Sequence, residues 1–430
     1  MRRYLYMMFL CLAVAASVQA QKPGKQPDGL PVQSVGEDAQ AVADSLSELL
    51  GDTIFDESPE ETWEQKVCHR LGKILDTRLL ETSDVGLMVW DLTADSCLYR
   101  YNARRRLRPA STQKVITAVT ALDRLGGDYE FRTSLRYRGT IVDSTRTLVG
   151  DLWCVGGMDP CFDASDMAAF VSAIARLGVD TIRGHIYADV SFKDRDRLGE
   201  GWCWDDDNPV LTPLLCGGKD VFLDRLISGL RGERIFLDVE KGEKECPGSA
   251  VELASCRHGI DTILKPMMKN SSNLHAEALF YQLAHHVGSD WATAKSARSA
   301  ITQVETKAGA TAKDYRAADG SGLSLYNYVS AELEVKMLRY AYQHSDIYEH
   351  LEPSLPIAGV DGTLSGRMGR TSAARNVHAK TGTVTGVSSL AGYCRGSNGH
   401  RLCFAIINQG AQQASTARAF QDRVCVALCQ

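Results

Sequence analysis

The chain has 430 residues, of which 44% are hydrophobic and 23% are charged, and its formal net charge is -5. A chain of this length and composition fills two or three domains with ordinary hydrophobic cores, which excludes global disorder. The small excess of acidic over basic residues also excludes the broad basic surface that binds nucleic acid, so no nucleic-acid partner is expected.

The first residues have the pattern of an export signal. Arg2 and Arg3 precede an apolar run from Tyr4 to Ala16, and the segment ends at the small residue Ala20. The run is too short to cross a hydrocarbon core of about 30 Å, and no later stretch is long enough. We therefore expect residues 1–20 to be a cleaved signal peptide. The mature protein should then be periplasmic, soluble or loosely membrane-associated, and without an integral membrane span.

Residues 21–50 predict a linker, because proline, glycine and polar residues dominate the start of this segment. The fold should begin after it. Ser58 and Pro59 have the types of an N-cap and a first helical residue, and apolar residues then recur at helical spacing to about Leu80. The next two β-prone runs, residues 85–92 and 97–102, predict a hairpin.

Ser111 and Lys114 stand at the start of a further predicted helix, which should end at Gly126. Three residues apart, they lie on one helix face, so the lysine amine can reach the serine hydroxyl. A serine becomes a good nucleophile when a neighbouring base takes its proton, and burial or nearby positive charge can make a lysine that base. Taken alone, however, the pattern favours an N-cap serine beside a surface lysine.

Two other short patterns change that interpretation. Residues 271–273 read Ser-Ser-Asn, and alone they indicate the cap of a predicted helix over 274–287. Residues 380–383 read Lys-Thr-Gly-Thr within a β-prone run over 377–393, and alone they indicate a strand with a polar face. Ser-x-x-Lys, Ser-x-Asn and Lys-Thr-Gly each occur once, in this order, and the ordered set is far more specific than its members.

In these motifs the chain resembles the penicillin-binding, active-site-serine D-alanyl-D-alanine carboxypeptidases. The similarity extends from about Val85 to Asn408 and is greatest to the low-molecular-mass class C group, peptidase family S13, typified by penicillin-binding protein 4. This resemblance implies an α+β fold with the transpeptidase core of penicillin-binding proteins and serine β-lactamases, an antiparallel sheet flanked by helices plus a helical lobe. The core would comprise residues 51–131 and 257–430. The segment over 132–256 is too long for a loop and carries β-prone runs, so we expect an inserted, strand-rich accessory domain there.

The resemblance also implies a serine-type D-Ala-D-Ala carboxypeptidase or DD-endopeptidase that acts on peptidoglycan stem peptides and is trapped covalently by β-lactams. Ser111 would carry the acyl group, and Lys114 would accept its proton. Ser271 would pass a proton to the leaving amine, and Lys380 would help to keep Lys114 neutral. The implied substrate-binding residues are Asn273, Thr381, Gly382 and Thr383.

Asp159 is a further candidate for substrate binding, because the resemblance links its segment to the amino end of a diamino acid side chain. A turn aspartate before Pro160 is an equally good interpretation. The histidines show neither a His-x-x-x-His nor a His-Glu-x-x-His pattern, so we expect no catalytic metal and no other cofactor.

Three alternative functions stay open on the sequence. A serine β-lactamase would share the motifs, but the chain lacks a Glu-x-x-Leu-Asn segment to activate the deacylating water. The chain could also be a Ser-His-Asp hydrolase on another fold, or a non-catalytic peptidoglycan-binding scaffold of the same fold. In either case Lys114 would be dispensable. The sequence does not decide between carboxypeptidase and endopeptidase action, nor does it give the oligomeric state.

The chain has 13 cysteines, and cleavage after Ala20 would remove Cys11. The twelve that remain would then enter an oxidising compartment, where disulfides form. Cys394 and Cys403 flank a predicted turn symmetrically, which predicts a bridge across a hairpin. The spacing of Cys425 and Cys429 favours burial, or pairing with other elements such as Cys68.

Overall fold

The computed structural model describes residues 60–286 and 291–430. The predicted signal peptide, the linker over 21–50 and the predicted cap at Ser58 lie outside these residues. The first helix, α1 (Trp63–Leu75), begins after Thr62, whose hydroxyl accepts a hydrogen bond from the backbone N–H of Gln65. The Gln65 side chain accepts one from the backbone N–H of Thr62 in return. The helix thus begins later and ends earlier than predicted.

The other helices and strands follow in chain order: α2 (Leu79–Thr82), β1 (Asp84–Asp91), β2 (Ser96–Tyr101), α3 (Gln113–Leu125), β3 (Glu130–Val142), β4 (Thr147–Val155), α4 (Ala164–Ala175), β5 (Thr181–Asp189), α5 (Phe222–Gly232), β6 (Phe236–Glu243), β7 (Val251–Gly259), α6 (Ile260–Lys269), α7 (Asn273–His286), α8 (Ala294–Lys307), α9 (Ala331–Gln343), α10 (Ser345–Ser354), β8 (His378–Val384), β9 (Val387–Arg395), β10 (Arg401–Gln409) and α11 (Ala414–Cys429). The predicted hairpin is confirmed, because β1 and β2 pair antiparallel. The β-prone run over 377–393 forms two strands rather than one.

The first sheet has the order β2-β1-β10-β9-β8, and all of its neighbouring strands are antiparallel. Side chains alternate between the two faces of a strand, so both faces of this sheet can be apolar. On β10, Phe404 and Ile406 face one core, which α1 and α11 complete. Ala405 and Ile407 face the other core, which contains the helical lobe. The inner strands of the sheet are therefore buried on both sides, whereas β2 at its edge is largely exposed, and the α+β architecture is the predicted one.

The helical lobe consists of α3 and α6 to α10, and α3 lies at its centre. All residues from Gln113 to Leu122 are buried, so α3 is surrounded by protein on every side. It ends at Gly126, as predicted, where φ is 85°. A helix enclosed in this way holds the residues at its N-terminus in fixed positions.

The second sheet has the order β6-β5-β4-β3-β7, with parallel pairs between β4, β5 and β6. Its strands lie between Glu130 and Gly259, and α4 and α5 pack on it through Phe170, Leu226 and Leu230. The segment is strand-rich, but it also contains these two helices. That it forms an inserted accessory domain over 132–256 stays a prediction.

The predicted bridge between Cys394 and Cys403 is wrong. In the register of β9 and β10, Cys403 is opposite Tyr393 rather than Cys394. An offset of one residue turns a side chain to the other face of a sheet, and the two cysteines accordingly belong to different cores. Cys394 instead interacts with Cys429 on α11, which raises the pKa of the Cys394 thiol, and Cys425 and Cys429 are both buried.

Among the described residues, no helix combines the length and apolar character needed to cross a membrane.

Candidate active site

Ser111 lies in a short 3-10 turn, Ala110–Thr112, that leads directly into α3. Ala110 has a φ of 48°, a left-handed conformation that non-glycine residues adopt at some cost and that is frequent at functional sites. Because α3 is enclosed by the helical lobe, the Ser111 hydroxyl is presented at a fixed point of a cleft.

Lys114 is fully buried one turn further along the chain. Its Nζ lies 2.8 Å from Ser111 Oγ, 2.8 Å from Asn273 Oδ1 and 2.7 Å from the backbone oxygen of Ser321. Burial lowers the pKa of Lys114 from 10.5 to about 7, although the negative charges of Asp319 and Glu277 act to raise it. The predicted surface-lysine alternative is therefore wrong: this lysine is a buried amine in contact with the serine.

The second motif enters the same cleft from the end of α6 and the start of α7. Ser271 has a φ of 59°, again left-handed, and its Oγ accepts a hydrogen bond from Lys380 Nζ over 2.9 Å. Asn273 is the first residue of α7, and its side chain reaches Lys114. The structure thus joins the three motifs by two contacts, Lys114 to Asn273 and Lys380 to Ser271.

The third motif lies on β8, which is the edge strand of the first sheet. Lys380 is fully buried, and burial together with the charge of Lys114 lowers its pKa well below 10.5. A Cβ at Gly382 would lie 2.8 Å from the backbone nitrogen of Ser111, so only glycine lets β8 approach the serine this closely.

Ser111, Ser271, Thr381 and Thr383 line a cleft of about 740 Å³. The rest of the cleft wall was not foreseen from the sequence, and it is formed by Thr363, Gly366, Arg367, Gln413, Ser415, Thr416, Arg418, Ala419 and Asp422. Thr363 accepts a 2.7 Å hydrogen bond from Thr381 Oγ1. These residues come from a loop and from the start of α11, and no local pattern marks them as part of a site.

Two buried carboxylates beneath Lys114 were also missed. Glu277 Oε1 accepts hydrogen bonds from the backbone N–H groups of Gly320 and Ser321, and burial raises the pKa of Glu277 to about 8. Asp319 accepts bonds from Trp202 Nε1 and from the backbone of the turn that it begins. The turn presents the backbone oxygen of Ser321 to Lys114.

Asp159 does not line the cleft. Its side chain is buried, with Oδ1 accepting from the backbone N–H of Cys161 and Oδ2 lying 2.7 Å from His258 Nδ1. Its carboxylate is therefore already engaged within the protein, and a contact with a substrate amine stays a prediction.

A sequence profile of the D-Ala-D-Ala carboxypeptidase 3 (S13) family matches residues 68–214 and 229–428. The chain is similar to a D-alanyl-D-alanine carboxypeptidase from Actinomadura sp. (strain R39), with 28% identity over alignments that cover 84% of each chain.

Solved structures show the same fold. Penicillin binding protein 4 (dacB) from Haemophilus influenzae superposes with a TM-score of 0.73 at 24% identity, covering 82% of this chain and 97% of that one. A predatory endopeptidase from Bdellovibrio bacteriovorus, solved acylated by penicillin G and in complex with an immunity protein, gives a TM-score of 0.53 at 18% identity, covering 80% and 91%. The transpeptidase-type core expected from the motifs is thus confirmed.

Proposed function

Because the chain belongs to the D-Ala-D-Ala carboxypeptidase (S13) family, we propose that its cleft cuts peptidoglycan stem peptides after D-alanine through an acyl-enzyme on Ser111. The observation that carries this proposal is the 2.8 Å contact between Ser111 Oγ and the fully buried amine of Lys114. A D-alanine as the leaving group makes the enzyme a carboxypeptidase, and a longer amine makes it an endopeptidase.

Lys114 acts as the base that takes the proton of Ser111. A neutral amine has two N–H groups and one lone pair, and Asn273 Oδ1 and the Ser321 backbone oxygen provide acceptors for the two N–H groups. The lone pair then points to the third neighbour, the Ser111 hydroxyl. With a pKa of about 7, the amine is in this neutral form in about half of the molecules at pH 7.

Lys380 and Ser271 complete the proton path. Lys380 Nζ donates to Ser271 Oγ, which leaves the Ser271 hydroxyl hydrogen free to turn into the cleft. When the peptide bond breaks, Ser271 passes its hydroxyl proton to the leaving amine and takes a proton from Lys380 in return. The proton that Lys380 gives up balances the proton that Lys114 took from Ser111. Lys380 also opposes a positive charge on Lys114, because two buried ammonium groups repel each other.

The remaining groups bind the substrate and the developing oxyanion. Gly382 brings β8 against the backbone nitrogen of Ser111, so the N–H groups of Ser111 and Thr383 form the oxyanion hole. The substrate lies along the edge of β8 like an added strand. Thr381 and Thr383 bind its terminal carboxylate together with the charge of Lys380, and Asn273 binds an amide of the peptide.

A β-lactam reacts with Ser111 in the same way, but its ring opens without releasing a leaving group, so the adduct persists. The test is the intact mass of the protein after incubation with penicillin G. We expect one adduct per chain, lost in Ser111→Ala and retained in Ser415→Ala, which removes another hydroxyl that lines the cleft. An adduct that survives Ser111→Ala, or no adduct on the native chain, contradicts the proposal and revives the scaffold function.

Defined muropeptides separate the possible activities. Loss of one D-alanine from a pentapeptide indicates a carboxypeptidase, and splitting of a cross-linked dimer indicates an endopeptidase. Rapid turnover of penicillin G with neither product would instead indicate a β-lactamase.

This substrate lies outside the cytoplasmic membrane, which agrees with the export signal predicted over residues 1–20. We propose that the mature enzyme is periplasmic. N-terminal sequencing of the exported protein should show that it begins at Gln21, directly after Ala20.

A further inference from the structure

Three side chains of different chemistry meet outside the catalytic cleft, where β7 passes the loop that follows β4. Asp159, Cys256 and His258 each offer one ligand atom, and these atoms all lie within 4.8 Å of one another. Carboxylate, thiolate and imidazole are the three groups that bind Zn²⁺ in proteins.

The backbone explains why they meet. Cys256 and His258 are two residues apart on β7, so they lie on the same face of the strand. Met158 has a φ of 54°, and Asp159 follows it after the end of β4, with its carboxylate held by the backbone N–H of Cys161. The strand β7 and the hydrogen bond from Cys161 therefore fix the relative positions of the three groups.

The side chains already point to a common centre. His258 Nδ1 lies 2.7 Å from Asp159 Oδ2 and 3.8 Å from Cys256 Sγ. On the other side of the ring, His258 Nε2 lies 3.8 Å from Asp166 Oδ2. The negative charge of that carboxylate favours a proton on Nε2, and with the proton there the Nδ1 lone pair is directed towards Asp159 and Cys256.

We propose that Asp159, Cys256 and His258 bind a divalent transition-metal ion such as Zn²⁺, with Asp166 orienting the imidazole from outside. A carboxylate, a thiolate and a neutral imidazole carry two negative charges, which balance the ion. Binding of the ion releases two protons to solvent. One is the proton shared by Asp159 and His258, and the other is the proton of the Cys256 thiol.

The distances fit such an ion. Bonds of about 2.3 Å to sulfur and about 2.0 Å to nitrogen at a tetrahedral angle place these two atoms about 3.5 Å apart. Cys256 Sγ and His258 Nδ1 are already 3.8 Å apart, so a small movement suffices, while Asp159 and His258 must separate slightly. The His258 side chain is 22% exposed, which gives the ion a path from solvent and room for a water as fourth ligand.

The ligands come from two distant segments, since Asp159 and His258 are 99 positions apart. A search for closely spaced histidines therefore could not find them. The site is separate from the serine chemistry proposed above, and its test does not depend on enzyme activity.

The experiment uses the full chain, stripped with a chelator and kept reduced with a phosphine. Zn²⁺ is titrated in competition with a chromophoric chelator, and Co²⁺ is titrated in parallel, because a cobalt–thiolate bond gives a charge-transfer band in the near ultraviolet. We expect one ion per chain and the cobalt–thiolate band.

Cys256→Ser should remove the band and weaken Zn²⁺ binding at least 10-fold, and His258→Gln should weaken binding similarly. Cys97→Ser is the matched control, because it removes an exposed thiol from another strand and should change neither result. Thermal melts of each variant show whether it is folded. The proposal is overturned if the native chain binds no stoichiometric Zn²⁺, or if folded Cys256→Ser and His258→Gln both bind it unchanged.

Discussion

The rate at which a β-lactam acylates Ser111 should rise with pH through about 7. Only the neutral amine of Lys114 can take the serine proton, and burial lowers the pKa of this amine from 10.5 to about 7. Below that pH the amine is protonated and acylation slows. Above that pH the amine is neutral and the acylation rate reaches a plateau. The rate therefore rises with pH, as expected when the base must lose its proton before it can act.

The size of the effect follows from the same pKa. A neutral fraction of roughly one tenth at pH 6 and roughly nine tenths at pH 8 predicts an acylation rate about 10-fold higher at pH 8. A lysine that kept its ordinary pKa of 10.5 would be neutral in only about one molecule in three thousand at pH 7. At pH 7, burial therefore increases the fraction of Lys114 in the neutral form by a factor on the order of 1,000.

The assay is the second-order rate constant for labelling by a fluorescent penicillin, measured from pH 5.5 to 8.5. Lys114→Met should lower it by a factor on the order of 10² to 10⁴ and abolish the pH dependence. The matched control is Lys193→Met. Lys193 is also buried, and its Nζ makes three hydrogen bonds to Asp194 and Asp196, away from the cleft.

Lys193→Met should cost stability, seen in a thermal melt, without changing the acylation rate of the folded protein. A rate that is flat between pH 6 and 8 in the native enzyme would refute the argument that burial makes Lys114 the base. So would a Lys114→Met variant that keeps the same profile.

Three further predictions concern the backbone and the cysteines. Gly382→Ala should lower the acylation rate on the order of 100-fold, because its Cβ would push β8 away from the nitrogen of Ser111; unchanged labelling would contradict this. Gly72→Ala, in an exposed helical position with no atom within 4 Å of the new Cβ, should instead stabilise the protein by about 1 kcal/mol in urea unfolding and leave labelling intact. Oxidised glutathione should take two electrons from the two buried, interacting thiols of Cys394 and Cys429 and join them in a disulfide, and a non-reducing peptide map that shows both thiols free would disprove this.

The three motifs that line or underlie the cleft could be found in the sequence because each is a short local pattern. Ser111 and Lys114 are neighbours on one helical turn, and their contact follows from helix geometry alone. The Lys-Thr-Gly motif could also be placed from the sequence alone, because a local run of β-prone residues is enough to predict the strand that carries it. The order of the motifs along the chain then carried the resemblance to the family, and that resemblance implied the transpeptidase core.

The residues that the sequence did not reveal are those whose role depends on distant parts of the chain. Glu277 and Asp319 lie beneath Lys114 only because α7 and a turn before α9 meet there. The wall that carries Arg418 belongs to the site because α11 packs across the first sheet. Neither feature has a spacing that a local pattern could detect.

The cysteines show the same division. Cys394 and Cys403 looked like partners because they are symmetric about a turn, but the register of the hairpin was not known. A one-residue offset placed them on opposite faces of the sheet and gave Cys394 a partner on α11.

The sequence by itself thus determined which groups we propose for the chemistry, namely a serine, two lysines and the motif residues around them. Only the tertiary structure decided how deeply these groups are buried, what their pKa values are and which groups they contact. The burial of Lys114 and Lys380 that lowers their pKa values, and the meeting of Asp159 with His258, are made by segments far apart in the chain. Local sequence specifies residue type and backbone shape, whereas desolvation and charge depend on everything that packs around a side chain.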